Sequence, residues 1–217
     1  MSVKNIVLTT AEIATKTAIS PVPILGSLYS SVIDTVKSEC LSKRQKKWAE
    51  AVEDRLRNLE TTLEDLGQND QFVTALLKAS ELAMKTSREE KINFLANSVV
   101  NSLNPSVDEE KLLVFLDLLD KYTVSHIKII YFFYNPRRFE GTDAYLRGYG
   151  GVTDPLFYVY PELNNDLFKK IYKDLYVDGM VSLENLNITM TGSGMLAKRT
   201  TTIGDEFLKF ILDSSDI

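Results

Sequence analysis

Cysteine, histidine and tryptophan each occur once in these 217 residues, as Cys40, His126 and Trp48. A lone cysteine excludes an internal disulfide and fits a reducing compartment. One cysteine with one histidine cannot supply the four ligands of a structural zinc site, and no spacing of oxygen ligands matches a calcium loop. No apolar run approaches the roughly 18 residues of a spanning helix. The short apolar run after Lys4 soon meets Glu12 and Lys16, so no secretory leader is expected and the chain reads as cytoplasmic. An excess of one charge is also lacking, since the formal net charge is only -5. Residues 1–105 hold 13 basic and 13 acidic side chains, and residues 106–217 hold 12 and 17, so the deficit lies in the second half. That balance counts against simple duplex binding, which needs Lys and Arg to replace phosphate counterions.

What is present is helical periodicity. Residues 2–20 are helix-compatible, and Pro21 and Pro23 break them off. From 26 to 66 no proline interrupts a stripe of Leu28, Val32, Val36 and Cys40, resumed by Trp48, Val52, Leu56, Leu59, Leu63 and Leu66. Spacings of three and four put these on one face. The stripe predicts a long helix with a kink near the basic stretch from Lys43 to Lys47, and Cys40 reads as an inert buried hydrophobe. Gly67 and then Asn69-Asp70 mark a stop and a new start. Further helices follow: one through Phe72, Leu76, Leu77, Leu82 and Met84, and one through Ile92, Leu95, Val99, Val100 and Leu103. Ser87 with Glu90, and Ser106 with Glu109, have capping-box spacing. The first half, residues 1–105, therefore reads as a helical bundle, with Pro105 as the boundary.

The second half, residues 106–217, opens with a helix through Leu112, Leu113, Phe115, Leu116 and Leu119, then a very apolar one through Ile127, Ile129, Ile130, Phe132 and Phe133. A Tyr- and Gly-rich insertion without clear periodicity occupies about 135–163, which for its length reads as a functional loop. Residues 164–213 then read as helix, β-hairpin, helix. An amphipathic run stops at Gly179, two β-prone pieces flank a turn at Gly192-Ser193-Gly194, and an apolar-faced helix closes the chain. The fold class is thus mainly α: an N-terminal helical bundle and a C-terminal winged-helix-like domain with a small β-hairpin. The segments LLDKYTVSHIKIIYFFYNPRRF, VYPELNNDLFKKIYKDLYVDGMV and TTTIGDEFLKFI resemble a winged-helix-type domain of uncharacterised bacterial proteins. On that resemblance His126, Pro136, Gly179, Thr201 or Thr202, and Gly204 fall at the marked positions. It implies a fold and not a function.

No constellation of polar residues has a known catalytic spacing, so a non-enzyme is expected, with no cofactor and no metal. His126 could be a general base, but it sits in an apolar helix without a nucleophile elbow, and a packed or capping role fits better. Gly192-Ser193-Gly194 lacks the Lys and Ser or Thr of a phosphate loop and does not open directly into a helix, so a wing tip explains it. Gly148, Gly150 and Gly151 lack dinucleotide spacing. Glu89 and Lys91 match part of a nuclease core only by chance. The reading is a non-enzymatic interaction protein that binds a protein partner through the winged-helix-like half and its insertion. Arg137, Arg138, Tyr145, Arg147, Tyr149 and Tyr158 are the candidate contacts, since aromatics and arginine enrich protein interfaces. The stripe from Trp48 to Leu66 would be a homo-oligomer seam, unless the chain's own third and fourth helices cover it. One alternative is a DNA-binding regulator, with Lys169, Lys170 and Lys173 on the helix at 164–178 and Lys198 and Arg199 beside the wing. Another is a membrane-active helical effector using the region from Pro21 to Trp48, although balancing acids make membrane contact the lesser expectation.

Overall fold

The computed structural model describes residues 40–57, 59, 63–213 and 215–216. The expected helix at 2–20 and the start of the stripe at Leu28, Val32 and Val36 lie outside the described residues, as does the side chain of Leu63. The fold class is as the sequence predicts, mainly α with one small antiparallel β element. The chain divides into two units, one from the described residues up to Lys121 together with those from Phe210 onward, the other Tyr122–Lys209. Pro105 lies inside the first unit.

In the first unit the helices are α1 (Ser42–Leu56), α2 (Leu63–Gln68), α3 (Asp70–Lys85), α4 (Glu89–Asn101) and α5 (Glu109–Lys121). α1 buries Trp48, Ala49, Val52 and Leu56, and it packs on α3 and α4. Each fully buried aliphatic side chain contributes about 1.5–3 kcal/mol. The indole of Trp48 donates to the buried Ser80 hydroxyl (2.9 Å). Trp48, Val52, Leu56 and Leu66 are all interior, so the seam proposed for self-association is covered by the chain's own helices. The buried ring of Trp48 is likewise not available to a lipid surface. Cys40 is exposed, contrary to the buried position its spacing predicts, because the apolar stripe reaches its neighbours only further along the helix. There Arg44 donates to the Met84 carbonyl (2.6 Å) at the end of α3. The basic stretch lies within α1, which ends at Leu56.

α3 starts where the sequence places it, with Asn69 accepting from the Phe72 amide (3.0 Å). Neither expected capping box forms. Arg88 occupies the cap of α4 without a side-chain bond, because Thr86 takes the Arg88 amide (3.1 Å) in a local turn. α5 is capped by Asp108, which accepts from Lys111 (2.8 Å), while Ser106 turns back to Asn104. Along α4, Asn97 donates to the Ile211 carbonyl (3.1 Å), and Asn101 to those of Phe210 and Leu212 (3.0 and 3.1 Å). These amides satisfy carbonyls that the end of a helix leaves open.

The second unit contains α6 (Val124–Tyr134), β1 (Tyr149–Gly151), α7 (Asp154–Val159), α8 (Phe168–Val177), β2 (Thr189–Thr191), the single turn α9 (Gly192–Met195) and α10 (Thr202–Ile211), which it holds up to Lys209. α6 is apolar on nearly all sides and buries Ile127, Ile129, Ile130, Phe132 and Phe133. α8 ends in a Schellman motif. Gly179 has φ +73°, the Met180 amide bonds the Leu175 carbonyl (2.9 Å), and the Gly179 amide bonds that of Tyr176 (3.0 Å).

The β pairing differs from the expected hairpin. Within 180–202 only Val181 and Thr200 form an antiparallel bridge, flanked by the bonds Ser182 N to Arg199 O (2.8 Å) and Thr201 N to Met180 O (3.1 Å). The β-prone piece at 189–191 pairs with β1 of the insertion, Tyr149 opposite Thr191 and Gly151 opposite Thr189. Glycine makes this pairing possible. A Cβ on Gly150 would stand 2.7 Å from a carboxylate oxygen of Asp154, and one on Gly192 2.2 Å from the Tyr145 carbonyl oxygen. The Gly192-Ser193-Gly194 turn opens directly into α9, capped by the Thr191 hydroxyl, where the sequence predicts an open wing tip.

Candidate functional site

The insertion separates its aromatic rings into two sets. Phe139 sits against Phe132, Tyr131 and Tyr160 at centroid distances of 5.4, 5.7 and 5.8 Å. Phe157 meets Phe168 at 4.8 Å. Thr142, fully buried, donates to the carbonyls of Phe139 and Pro136. Burial pushes the Tyr160 hydroxyl up to about 12. These rings fasten the insertion to α6 and α8. The second set faces outward: Tyr149 is 81% exposed and Tyr158 is 56% exposed. Tyr158 lies edge-on to the half-buried Tyr145 (6.1 Å) and against the backbone of Gly141, which has φ +81°. Leu146 is exposed beside Arg147, and Arg137 is exposed as well. Arg138 lies over the ring of Tyr131 (4.9 Å). Of the six sequence candidates, Tyr149, Arg137 and Arg147 present open surface, Tyr158 is exposed but edge-on to Tyr145, and Tyr145 and Arg138 are partly engaged by other rings.

The five basic candidates do not form one cationic surface. Lys170 pairs with Asp174 one turn on (2.5 Å). Lys198 pairs with Asp205 and lies over the Tyr134 ring (4.7 Å). Arg199 is partly buried, donates to the Gly194 carbonyl (2.6 Å) and touches the Met190 sulfur. Burial holds its guanidinium below the usual arginine range, and its Nε has no hydrogen-bond partner. Its backbone amide bonds the Phe133 carbonyl (2.8 Å), so Arg199 fastens the bridge to the end of α6. Lys169 and Lys173 remain exposed, on the wall of an open groove of about 520 Å3 between α8, Phe157 and residues 184–187. The Tyr122–Lys209 unit carries ten basic and ten acidic residues, so the acidic excess of the second half lies outside it.

His126 is buried under Tyr122, whose ring stacks on it at 4.9 Å. The Thr123 amide donates to His126 Nδ1 (3.1 Å), and the Thr123 hydroxyl lies 2.9 Å from the same nitrogen. An accepting Nδ1 puts the ring proton on Nε2, which faces Asp174 Oδ2 at 3.8 Å. The histidine is thus a helix cap held between an aromatic ring and a carboxylate. Tyr122 donates to Asp178 (2.8 Å), and burial raises its hydroxyl pKa well above the ordinary tyrosine value. Sequence reading missed this Tyr122–His126–Asp174–Asp178 cluster; the four-residue spacings of Tyr122 with His126 and of Asp174 with Asp178, which caps the end of α8, were its signal.

Among the described residues no group of three His, Cys, Asp or Glu side chains could hold a metal ion, and no helix is long and apolar enough to cross a membrane. Comparison with known proteins finds no matching family model, no similar curated protein and no similar solved structure.

Proposed function

We propose that this is a cytoplasmic, non-enzymatic interaction protein that binds a protein partner through the insertion carried by its Tyr122–Lys209 unit. The observation that carries this reading is the outward set of rings. Tyr149 and Tyr158 stay exposed on a segment whose Phe139, Phe157 and Tyr160 are packed inward. Exposed tyrosines beside Arg147 have the composition of binding hot spots, where single truncations cost about 2 kcal/mol or more. The test compares the proteins retained by the wild-type chain with those retained by a Tyr149→Ser/Tyr158→Ser/Arg147→Ser variant, from the same cell extract. A specific partner should fall at least tenfold, with the circular dichroism spectrum unchanged. An identical retained set would remove the reading.

The DNA-binding alternative keeps one supporting observation, the exposed Lys169 and Lys173 on α8. Two phosphate contacts support a salt slope of only about 2. A gel-shift titration over salt decides it, since a slope of 6 or more would favour that alternative over protein binding. Self-association, if it occurs, uses a surface other than Trp48, Val52, Leu56 and Leu66.

A further inference from the structure

The groove along α8 is separate from the exposed tyrosines and has its own chemistry. Lys169 and Lys173 stand one helical turn apart on one wall, and neither makes an ion pair among the described residues. Their neighbour Lys170 is paired with Asp174. Across the groove Glu184 is the single acid in the lining, so the site carries an excess of one positive charge. Phe157 and Leu186 supply apolar wall, and the side-chain amides of Asn164 and Asn187 also line the groove. An amide offers a donor and an acceptor together, which is what a peptide backbone presents in return. At the two ends of α8, Leu167 is 67% exposed and Val177 70% exposed.

We infer that this groove binds an extended acidic segment of a partner polypeptide, of the form Asp-apolar-Asp. The spacing supports it. Residues four apart on a helix are displaced by about 6 Å along the axis, and side chains two apart on an extended chain by about 6.6 Å. Carboxylates at positions i and i+2 of the segment therefore meet Lys169 and Lys173 in register, and the residue between them points to the opposite wall, at Leu186. Single-stranded nucleic acid fits less well, because base stacking needs free ring faces. Phe168 and Tyr172 are buried, and Phe157 is engaged edge-on by Phe168.

The test uses fluorescein-labelled hexapeptides with Asp-Leu-Asp, Asp-Ser-Asp or Lys-Leu-Lys cores, and a dT12 oligonucleotide, titrated with the full chain by fluorescence anisotropy. The Asp-Leu-Asp peptide should bind at least tenfold more tightly than the Lys-Leu-Lys peptide, and more tightly than the Asp-Ser-Asp peptide. Lys169→Glu/Lys173→Glu should weaken it at least tenfold, and the milder Lys169→Gln/Lys173→Gln should weaken it less. Tyr149→Ser/Tyr158→Ser should leave it within twofold, which separates this site from the exposed tyrosines. Equal affinity for the acidic and basic peptides, insensitivity to both lysine variants, or preferential binding of dT12 would each overturn the inference.

Discussion

Two glycines of the second unit look alike in sequence and should respond differently to alanine, for reasons visible in their surroundings. Gly204 is the third residue of α10, and an added Cβ would stand 2.2 Å from the Met180 carbonyl oxygen. That oxygen cannot retreat freely, because it accepts from the Thr201 amide (3.1 Å) beside the Val181–Thr200 bridge. Thr201 also accepts from the Gly204 amide (3.1 Å) and donates to the Gly179 carbonyl (2.5 Å), so the helix start and the bridge form one cap. Relieving the overlap requires a shift of about 1 Å, which overpacking data price at about 1–3 kcal/mol. Loss of the cap raises this by about 1 kcal/mol, and the helix preference for alanine returns about 1 kcal/mol. Gly204→Ala should therefore cost about 1–3 kcal/mol. At Gly179 nothing lies within 4 Å and only φ +73° resists a side chain, so Gly179→Ala should cost about 1–2 kcal/mol. Hydrogen exchange at the Ser182 and Thr201 amides reads the bridge directly. For Gly204→Ala those amides should exchange about 5–150-fold faster. For Gly179→Ala, acceleration should centre on the Gly179 and Met180 amides of the Schellman motif. If Gly204→Ala slowed exchange, as at an ordinary exposed helical glycine, the close approach would be refuted.

Two predictions concern the first unit. Asn97 is nearly buried, donates to the Ile211 carbonyl and accepts from Arg55 Nε (3.0 Å), so Asn97→Leu strands both partners and should cost about 2–4 kcal/mol in urea denaturation; a loss under about 0.5 kcal/mol would mean that the bonds do not form. Trp48→Phe should destabilise by about 1–3 kcal/mol through loss of the bond to Ser80, and adding Ser80→Ala should recover part of that. A double variant as unstable as the sum of the two single losses would show that the indole and hydroxyl are not coupled.

What the sequence made legible was local. The Asn69 cap, the stop at Gly179, most of the buried faces of α3 to α6 and the capping role of His126 all follow from neighbours within a few residues, whereas Gly67 lies inside α2 and does not end it, and Leu77 is exposed. The ion pair of Lys170 with Asp174, at four residues on a helix, was legible by the same rule. Contacts between distant parts of the chain were not. Thr189–Thr191 pairs with a strand about forty residues earlier, and nothing in either tripeptide names the other. Ser87 and Ser106 satisfy the capping spacing, yet Thr86 and Asp108 take the amides, because spacing alone does not fix the angle at which the chain enters a helix. Composition also could not sort the insertion's rings, since Tyr149 and Tyr160 differ in their surroundings and not in their chemistry.

The cations decide between the readings of the second unit more than the fold does. A helix in a major groove is held mainly by charge, and each neutralised phosphate releases about one counterion. Lys170 and Lys198 face carboxylates, and Arg199 is partly buried against a carbonyl and a thioether. Moving any of the three to phosphate would break contacts that hold α8, α10 or the bridge, so the gain at the phosphate would be offset by the loss at home. Lys169 and Lys173 carry no such cost, yet two lysines on a unit with equal numbers of acids and bases give little long-range attraction. They are enough to orient two carboxylates at contact distance. The same count that weakens the case for a polyanion therefore leaves room for a short acidic peptide.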